Sequence, residues 1–146
     1  MLVFAIEGLT NEYTGEAICL KGGKIARVPT LSEVEELEFP APVGRCEAFT
    51  TSGGTSTCPE TYQGRVEVYD YKTVRYPGHV EKIRVLRDLG LLDLEKVETP
   101  VAVGAREKAM VAPRALVHTV LNKHLHHPGE KDLVVMRVTC AGEDER

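Results

Sequence analysis

Residues 47–57 read EAFTTSGGTST and residues 70–79 read DYKTVRYPGH, and these two segments decide the fold of the chain. The first passes from alternating apolar residues into a loop of hydroxyl residues and two adjacent glycines. The second passes from a strand-like pattern into basic and aromatic residues at a Pro-Gly turn. Loops at strand ends commonly hold ligands, because the sheet fixes their position and glycine lets the backbone approach a bound molecule. We therefore expect the functional site where these segments end.

Length and composition predict one domain over residues 1–146. Apolar residues make up 42% of the chain and charged residues 27%, which is typical of a soluble globular protein. The net charge of -4 argues against nucleic-acid binding and against a polybasic membrane patch. No apolar run approaches the ~20 residues that a membrane helix needs. The first six residues lack the basic flank of a signal peptide, and scattered cysteines in apolar segments favour a reduced, cytoplasmic protein.

The four cysteines do not form a C-x-x-C pair, which argues against a zinc ribbon or a thioredoxin-like site. Cys19, Cys46 and Cys140 lie in apolar, strand-like segments, where a free cysteine behaves as a small hydrophobic residue. Cys58 follows the glycine-hydroxyl loop and is the only one placed to react. With no histidine or second cysteine near it in sequence, we interpret it as structural.

The first half of the chain predicts short strands joined by turns. Gly22 and Gly23 separate two alternating segments, which is typical of a β-hairpin with a primed turn. Thr10 or Asn11 can cap a short helical turn before it. In chain order the predicted elements are a buried strand at 2–6, the helical turn at 10–13, hairpin strands at 17–21 and 24–28, and strands at 36–39 and 45–51.

The second half predicts two helices. One covers residues 79–89 and ends at Gly90 in a left-handed conformation, and the other begins at Pro113 and runs to residue 125. The other predicted elements are a helical turn at 58–62, a long strand at 65–75, a loop at 94–104 with room for a short strand, and an interior strand at 131–141. Together they predict an α+β domain: a mixed, mostly antiparallel sheet of about six strands with helices packed on one face.

The glycine-hydroxyl loop has two interpretations. As a pocket wall, its hydroxyl and N–H groups would hold a carboxylate or a cofactor amide. As a connection, it would be a flexible turn between a strand and a helix, and composition alone favours that interpretation. The residues concerned are Thr51, Ser52, Gly53, Gly54 and Thr55.

The basic-aromatic segment also has two interpretations. Lys72, Arg75 and His79 can bind an anionic group, or the lysine can act in acid–base chemistry if burial lowers its pKa. N–H groups at the start of the following helix would add a positive end. The alternative is an exposed strand face followed by a histidine where the helix begins.

Histidines cluster near the end of the second helix, at His118, His124, His126 and His127. A pair three residues apart can share a helix face and bind a metal ion. A helix C-terminus also favours imidazolium, and no carboxylate or cysteine is spaced to complete a ligand set. We therefore predict no metal site. The chain has no glycine motif of the kind that holds a dinucleotide pyrophosphate or a nucleotide phosphate.

The order of several motifs resembles the C-terminal domain of the saccharopine dehydrogenase and lysine 6-dehydrogenase family. These motifs are EGLTNEY at 7–13, KGGKI at 21–25, EAFTTSGG at 47–54, DYKTVRYPGH at 70–79 and RDLGLL at 87–92. The family implies a Rossmann domain that binds NAD or NADP, and a second α+β domain that supplies the substrate pocket and the dimer sheet. Its reaction oxidises an amine carbon by hydride transfer to the nicotinamide.

The resemblance implies a role for each segment. Lys72 and His79 would be catalytic, Arg75 and Tyr76 would bind the substrate together with the glycine-hydroxyl loop, and Glu12 or Glu47 would meet a cationic amine. Cofactor-binding residues would lie in the Rossmann partner. Family members that form saccharopine carry an Asn-Arg-Asp element where this chain has Ser52-Gly53-Gly54. Loss of that arginine favours lysine or another small amine over saccharopine.

Two hypotheses follow from the absence of a nucleotide-binding motif. In the first, the chain is the substrate-binding and dimerisation domain of an NAD(P)-dependent amino-acid dehydrogenase, inactive by itself and acting as a homodimer. In the second, it is a stand-alone ligand-binding or dimerisation module without redox activity. An in-frame nucleotide-binding sequence upstream of the chain would exclude the second hypothesis.

Overall fold

The computed structural model describes residues 5–125, 127 and 129–143. Its elements are α1 (Ile6–Glu12), β1 (Glu16–Lys21), β2 (Lys24–Pro29), β3 (Glu35–Phe39), β4 (Gly44–Thr50), α2 (Cys58–Tyr62), β5 (Lys72–Arg75), α3 (His79–Asp88), β6 (Val97–Pro100), β7 (Lys108–Val111) and α4 (Pro113–Leu125). The strands form three antiparallel sheets, which are β1 with β2, β3-β4-β5 in that order, and β6 with β7. The predicted α+β class is confirmed, with the strands divided among three sheets.

The hairpin of β1 and β2 forms as predicted. Lys21 pairs with Lys24 across the turn, and both glycines have positive φ, 57° for Gly22 and 72° for Gly23. Two consecutive positive φ angles define the turn that matches the twist of paired strands, and glycine adopts them without steric cost.

The core lies between β4 and three helices. Phe49 in β4 is fully buried, and its neighbours come from the end of α1, from α3 and from α4. The buried side chains of this cluster are Tyr13, Leu31, Phe49, Val80, Leu92 and Val117. Burying a phenylalanine contributes on the order of 2–3 kcal/mol from its apolar surface alone. The middle strand of the β3-β4-β5 sheet is therefore also the packing surface for the helices.

Both long helices form where the sequence predicts them. α3 ends at Asp88, and Gly90 follows with φ 74°. The N–H of Leu91 donates to the carbonyl of Leu86 at 2.9 Å, which satisfies one of the last helical acceptors. The helical turn at 58–62 is also confirmed, although the Thr57 side chain makes no capping hydrogen bond.

The N-terminal prediction is wrong where the structure tests it. Ile6 belongs to helix α1 rather than to a strand, and residues 2–4 of the predicted strand lie outside the described residues. The helix also begins before Thr10, so this threonine is internal and its hydroxyl donates to the carbonyl of Ile6 at 3.1 Å. A hydroxyl that bonds back to the preceding turn resembles a cap in sequence but does not start the helix.

The strand predicted over 65–75 is reduced to β5. Tyr69 makes an isolated bridge with Leu20 of the hairpin, whereas Thr73 pairs with Phe49 of β4. The segment thus leaves one sheet and joins another, and Val68, just before the bridge, is 62% exposed. Alternation of side chains persists along such a crossing, but a continuous partner strand does not.

The interior strand predicted over 131–141 is also wrong. These residues have no regular secondary structure, and Val134 is 87% exposed. The Arg137 guanidinium lies over the Phe39 ring at 4.6 Å. Apolar residues on both faces predict burial only if strands are available on both sides, and none pairs with this segment in the described part of the chain. The hairpin of β6 and β7 accounts for the short strand allowed near 94–104 and adds one more.

Among the helices described, none combines the length and the apolar character needed to cross a membrane.

Arg114 joins α4 to the rest of the core. This buried side chain donates from Nε to the Leu92 carbonyl at 2.5 Å and from Nη1 to Oδ1 of Asn11 at 2.7 Å. Both acceptors are neutral, so the arginine serves as a multiple donor between segments distant in sequence.

We expect Arg114→Met to lower the free energy of unfolding by about 2–3 kcal/mol, because it leaves two acceptors without their donor. Urea denaturation followed by circular dichroism measures this change. The matched control is Arg106→Met, which alters an exposed arginine and should stay within about 0.5 kcal/mol of the wild type. Equal effects of the two substitutions would contradict the structural role of Arg114.

Candidate functional site

The two segments singled out in the sequence meet in space. β4 and β5 pair antiparallel, and just beyond β4 the hydroxyl of Thr51 lies 2.7 Å from that of Thr73 in the buried interior. Gly54 packs on the Tyr71 ring so closely that a Cβ atom there would lie 1.9 Å from Cδ1 of the ring. Glycine is required at this position by the close approach of the ring.

The hydroxyls of the loop bond within the protein. Thr55, which is buried, donates to the Ile18 carbonyl at 2.7 Å. Ser52 donates from its hydroxyl to the Asn11 carbonyl at 3.1 Å and from its N–H to the Glu12 carbonyl at 3.0 Å. Gly53 and Gly54 are exposed. The loop is therefore fastened to α1 and β1, and its glycine backbone is the part that faces solvent.

Lys72 and Arg75 do not share a face of β5. Successive strand residues point to opposite sides, so Lys72 lies opposite the side that carries Thr73 and Arg75. The Lys72 side chain is 17% exposed and pairs with Glu35 of β3 at 3.3 Å. The predicted basic group is thus divided between two surfaces, and His79 is grouped with Arg75 alone.

An aromatic cluster, defined here as Tyr13, Phe49 and His79, forms the centre of the candidate site. The His79 ring stacks on Phe49 with centroids 6.0 Å apart and meets Tyr13 edge-on at 5.5 Å. The Tyr13 hydroxyl and Nε2 of His79 share a hydrogen bond of 2.9 Å. No sequence pattern indicates this role of Tyr13, because it stands 66 positions from His79.

The environment keeps His79 uncharged at neutral pH. Burial, followed by the positive charge of Arg75, lowers the pKa of His79 to about 4; the Glu47 carboxylate opposes this shift and Lys82 adds to it. Burial also raises the pKa of Tyr13, which the charge of Arg75 and its hydrogen bond to the hydroxyl partly offset. The Tyr13–His79 pair is therefore a neutral hydrogen-bonded pair beside a cation.

Arg75 is half-buried beside this cluster. Its Nη1 donates to the Val74 carbonyl at 2.8 Å. In the part of the chain that the structure describes, no carboxylate oxygen lies within 4.0 Å of its guanidinium nitrogens. Burial raises the pKa of Glu12, which the positive charge of Arg75 partly lowers. A cation and a carboxylate therefore stand near one another without pairing directly.

The N-terminus of α3 is already occupied. Glu47 of β4 accepts hydrogen bonds from the N–H groups of Gly78 at 3.1 Å and Val80 at 2.7 Å. The sequence suggested these amides as donors to a bound anion, and the side chain of Glu47 takes that place. Tyr76, in the turn before the helix, is 62% exposed.

Two other features of the described residues lie apart from this site. A shallow depression of about 460 Å³ lies between the β1-β2 turn and residues 64–67, and it contains none of the predicted site residues. Across the described residues, no group of three histidine, cysteine or acidic side chains could hold a metal ion. His126 of the histidine cluster lies outside those residues.

We expect His79 to make stability depend on pH. The unfolded histidine binds a proton near pH 6.5 and the folded one only near pH 4, so its contribution is present above pH 6.5 and is lost as the pH falls toward 4. Between pH 7 and 4.5 the wild type should lose about 2 kcal/mol more unfolding free energy than His79→Phe, allowing for partial solvent screening. Denaturation curves at several pH values measure this. His124→Phe, at an exposed site, should retain the wild-type slope; parallel curves for wild type and His79→Phe would refute the expectation.

We expect Gly54→Ala to destabilise the protein by about 1–3 kcal/mol, because the new methyl group must displace the Tyr71 ring. Adding Tyr71→Ala should remove most of this penalty, which a double-mutant cycle in urea measures. Gly142→Ala is the control, since a Cβ atom there meets nothing within 4 Å. An additive double mutant would show that the ring is not the cause.

The comparison with known protein families agrees with this arrangement of motifs. A family model described as the saccharopine dehydrogenase C-terminal domain matches residues 1–146. The match includes both segments that form the site, together with Tyr13 at the end of α1. The chain belongs to the saccharopine dehydrogenase C-terminal domain family.

Proposed function

We propose that this chain is the substrate-side domain of an NAD(P)-dependent oxidoreductase that acts on the CH–NH or CH–NH₂ group of lysine or a related amino acid. The observation that carries the proposal is Arg75, a half-buried cation beside the aromatic cluster that has no carboxylate within 4.0 Å among the described residues. A guanidinium with free donors in a partly desolvated position favours a carboxylate ligand.

Arg75 and Glu12 together suit an amino acid. In the proposal, Arg75 binds the substrate carboxylate and Glu12 meets the ammonium group. Glu47 was the other candidate for the amine, but both of its oxygens accept backbone N–H groups of α3. Glu12 is therefore the remaining candidate for contact with the ammonium group. Burial raises the pKa of the Glu12 carboxyl, and a cationic ammonium group beside it would lower that pKa.

The Tyr13–His79 pair supplies hydrogen bonding at the reacting end. Because His79 is neutral, it can donate or accept a hydrogen bond without placing a second positive charge beside Arg75. NAD or NADP, held by a Rossmann domain elsewhere in the parent protein, would accept the hydride. Of the two predicted catalytic residues the proposal retains His79, whereas Lys72 lies on the opposite face of β5 and takes no part.

The proposal extends to the assembly. The exposed apolar residues of α4 and β7, including Leu116, Val120 and Met110, support contact with a Rossmann domain or with the second subunit of a homodimer. The glycine backbone at Gly53 and Gly54 would face the nicotinamide across that contact. A cytoplasmic location accords with the free thiols of Cys19 and Cys46.

We expect L-lysine to bind this domain through Arg75, and cadaverine, which lacks only the carboxylate, to bind at least tenfold more weakly. Arg75→Gln should weaken lysine binding about tenfold or more, because a charge-assisted hydrogen bond contributes about 1.5–3 kcal/mol, and should leave cadaverine unchanged. Titrations followed by the NMR signal of the Gly53 amide measure both affinities in each protein, and the Arg75 side-chain signals report on binding in the wild type.

Two further titrations serve as controls, one with the variant Arg45→Gln and one with NAD⁺ alone. Arg45→Gln, which removes an exposed arginine of β4, should bind lysine as the wild type does. NAD⁺ alone should produce no shifts, since the proposal assigns its binding to the other domain. Equal responses to lysine and cadaverine would reject the role of Arg75, and tight NAD⁺ binding would reject the division of labour between domains.

A further inference from the structure

We propose that Glu47 is the positioning residue of the candidate site: it fixes the start of α3 and thereby holds His79 against Tyr13 while leaving Arg75 free for a ligand. The inference deepens the proposed function and rests on it for its meaning in catalysis. The claim that Glu47 fixes the start of α3 and the position of His79 can be tested without any ligand.

The location of Glu47 in the sheet provides the first step. Glu47 in β4 is directly opposite Arg75 in β5, and such a pair places its Cβ atoms about 5 Å apart on one face of the sheet. This is the face that carries Phe49, because residues two apart on a strand point the same way. A carboxylate opposite a guanidinium ordinarily pairs with it.

Glu47 instead reaches the helix. Its Oε2 accepts from Gly78 at 3.1 Å and its Oε1 from Val80 at 2.7 Å, so the two oxygens bracket the residue between them, which is His79. No oxygen of Glu47 lies within 4.0 Å of a cationic side chain among the described residues. The helix thus draws the carboxylate away from Arg75, and the guanidinium keeps donors for another partner.

Helix α3 has no cap of its own. Its N-cap residue, Gly78, is left-handed with φ 85° and carries no side chain that could accept a hydrogen bond. The first N–H groups of a helix need acceptors, and a carboxylate there is also favoured by the helix dipole. Glu47 meets both needs from a neighbouring strand. It therefore fixes the position of the first turn of α3 over β4, and with it the position of the His79 ring.

The charge of Glu47 also acts on the site. Four groups with charge or a titratable hydroxyl face the His79 ring: Tyr13, Glu47, Arg75 and Lys82. Glu47 is the only acid among them, and its charge counters the repulsion between imidazolium and the two cations. A variant without this charge should keep the ring neutral over a wider pH range.

The test compares three variants of the full chain: Glu47→Gln, Glu47→Ala and the control Glu38→Gln, which changes an exposed acid on neighbouring β3. Amide hydrogen exchange is measured by NMR without ligand. Glutamine keeps one accepting oxygen, so Glu47→Gln should retain protection at one of the Gly78 and Val80 amides and lose at least tenfold at the other. Glu47→Ala should lose it at both, and Glu38→Gln at neither.

The position of the histidine is read in the same samples. Nuclear Overhauser contacts between the Tyr13 and His79 rings should weaken in Glu47→Ala and persist in Glu47→Gln and Glu38→Gln. If Glu47→Ala does not fold, the exchange pattern of Glu47→Gln decides. Full protection at both amides in Glu47→Gln, or intact ring contacts in a folded Glu47→Ala, would overturn the inference.

A lysine titration of the same variants separates this inference from the proposed function. Folded Glu47→Ala should bind L-lysine at least fivefold more weakly than wild type, and Glu38→Gln should match it. Loss of amide protection and ring contacts with no lysine binding in any protein would reject the substrate assignment and retain the positioning role. Wild-type lysine binding in a Glu47→Ala protein whose ring contacts have weakened would overturn its link to the site.

Discussion

The structure depends on the burial of Phe49 at the centre of β4. This strand lies between β3 and β5, so its backbone is paired on both sides, and Phe49 is fully buried under the helices. The same ring stacks on His79 and approaches Tyr13 with centroids 6.1 Å apart. One side chain therefore joins the sheet, the helices and the candidate site, because the residues that close the core also form the wall of the site.

Burial of this wall determines its electrostatics. An imidazole packed between two aromatic rings and beside Arg75 loses the solvation that would stabilise its charged form, which is why the pKa of His79 falls to about 4. Hydrogen bonding to the Tyr13 hydroxyl then gives the neutral ring a partner. Buried polar groups are stable when each of them has a hydrogen-bond partner. The described part of the chain contains no buried side-chain nitrogen or oxygen without one.

Local sequence patterns predicted the local structure, but they did not predict contacts between residues far apart in the chain. The glycines at 22 and 23 and at 90 specify backbone conformations that need no other part of the chain, so the hairpin and the end of α3 follow from sequence. The pairing of residues 65–75 depends on which strand lies beside each part of the segment. Whether residues 131–141 form a strand depends on whether a partner strand lies beside them at all. The partnership of Tyr13 with His79 and the cap that Glu47 supplies join residues far apart, and no periodicity encodes them.

A comparison of two arginines shows why Arg75 differs from a structural cation. Arg114 is buried and directs its donors to the Leu92 carbonyl and the Asn11 amide, so its place in the fold accounts for its bonds. Arg75 donates to the carbonyl of its own neighbour, Val74, and approaches the Tyr13 hydroxyl. A guanidinium has five N–H donors, and those of Arg75 that make no bond within the protein remain accessible to solvent. The Glu47 carboxylate across the sheet is engaged by α3, so Arg75 differs from Arg114 in having no carbonyl or carboxylate acceptor from a distant segment among the described residues.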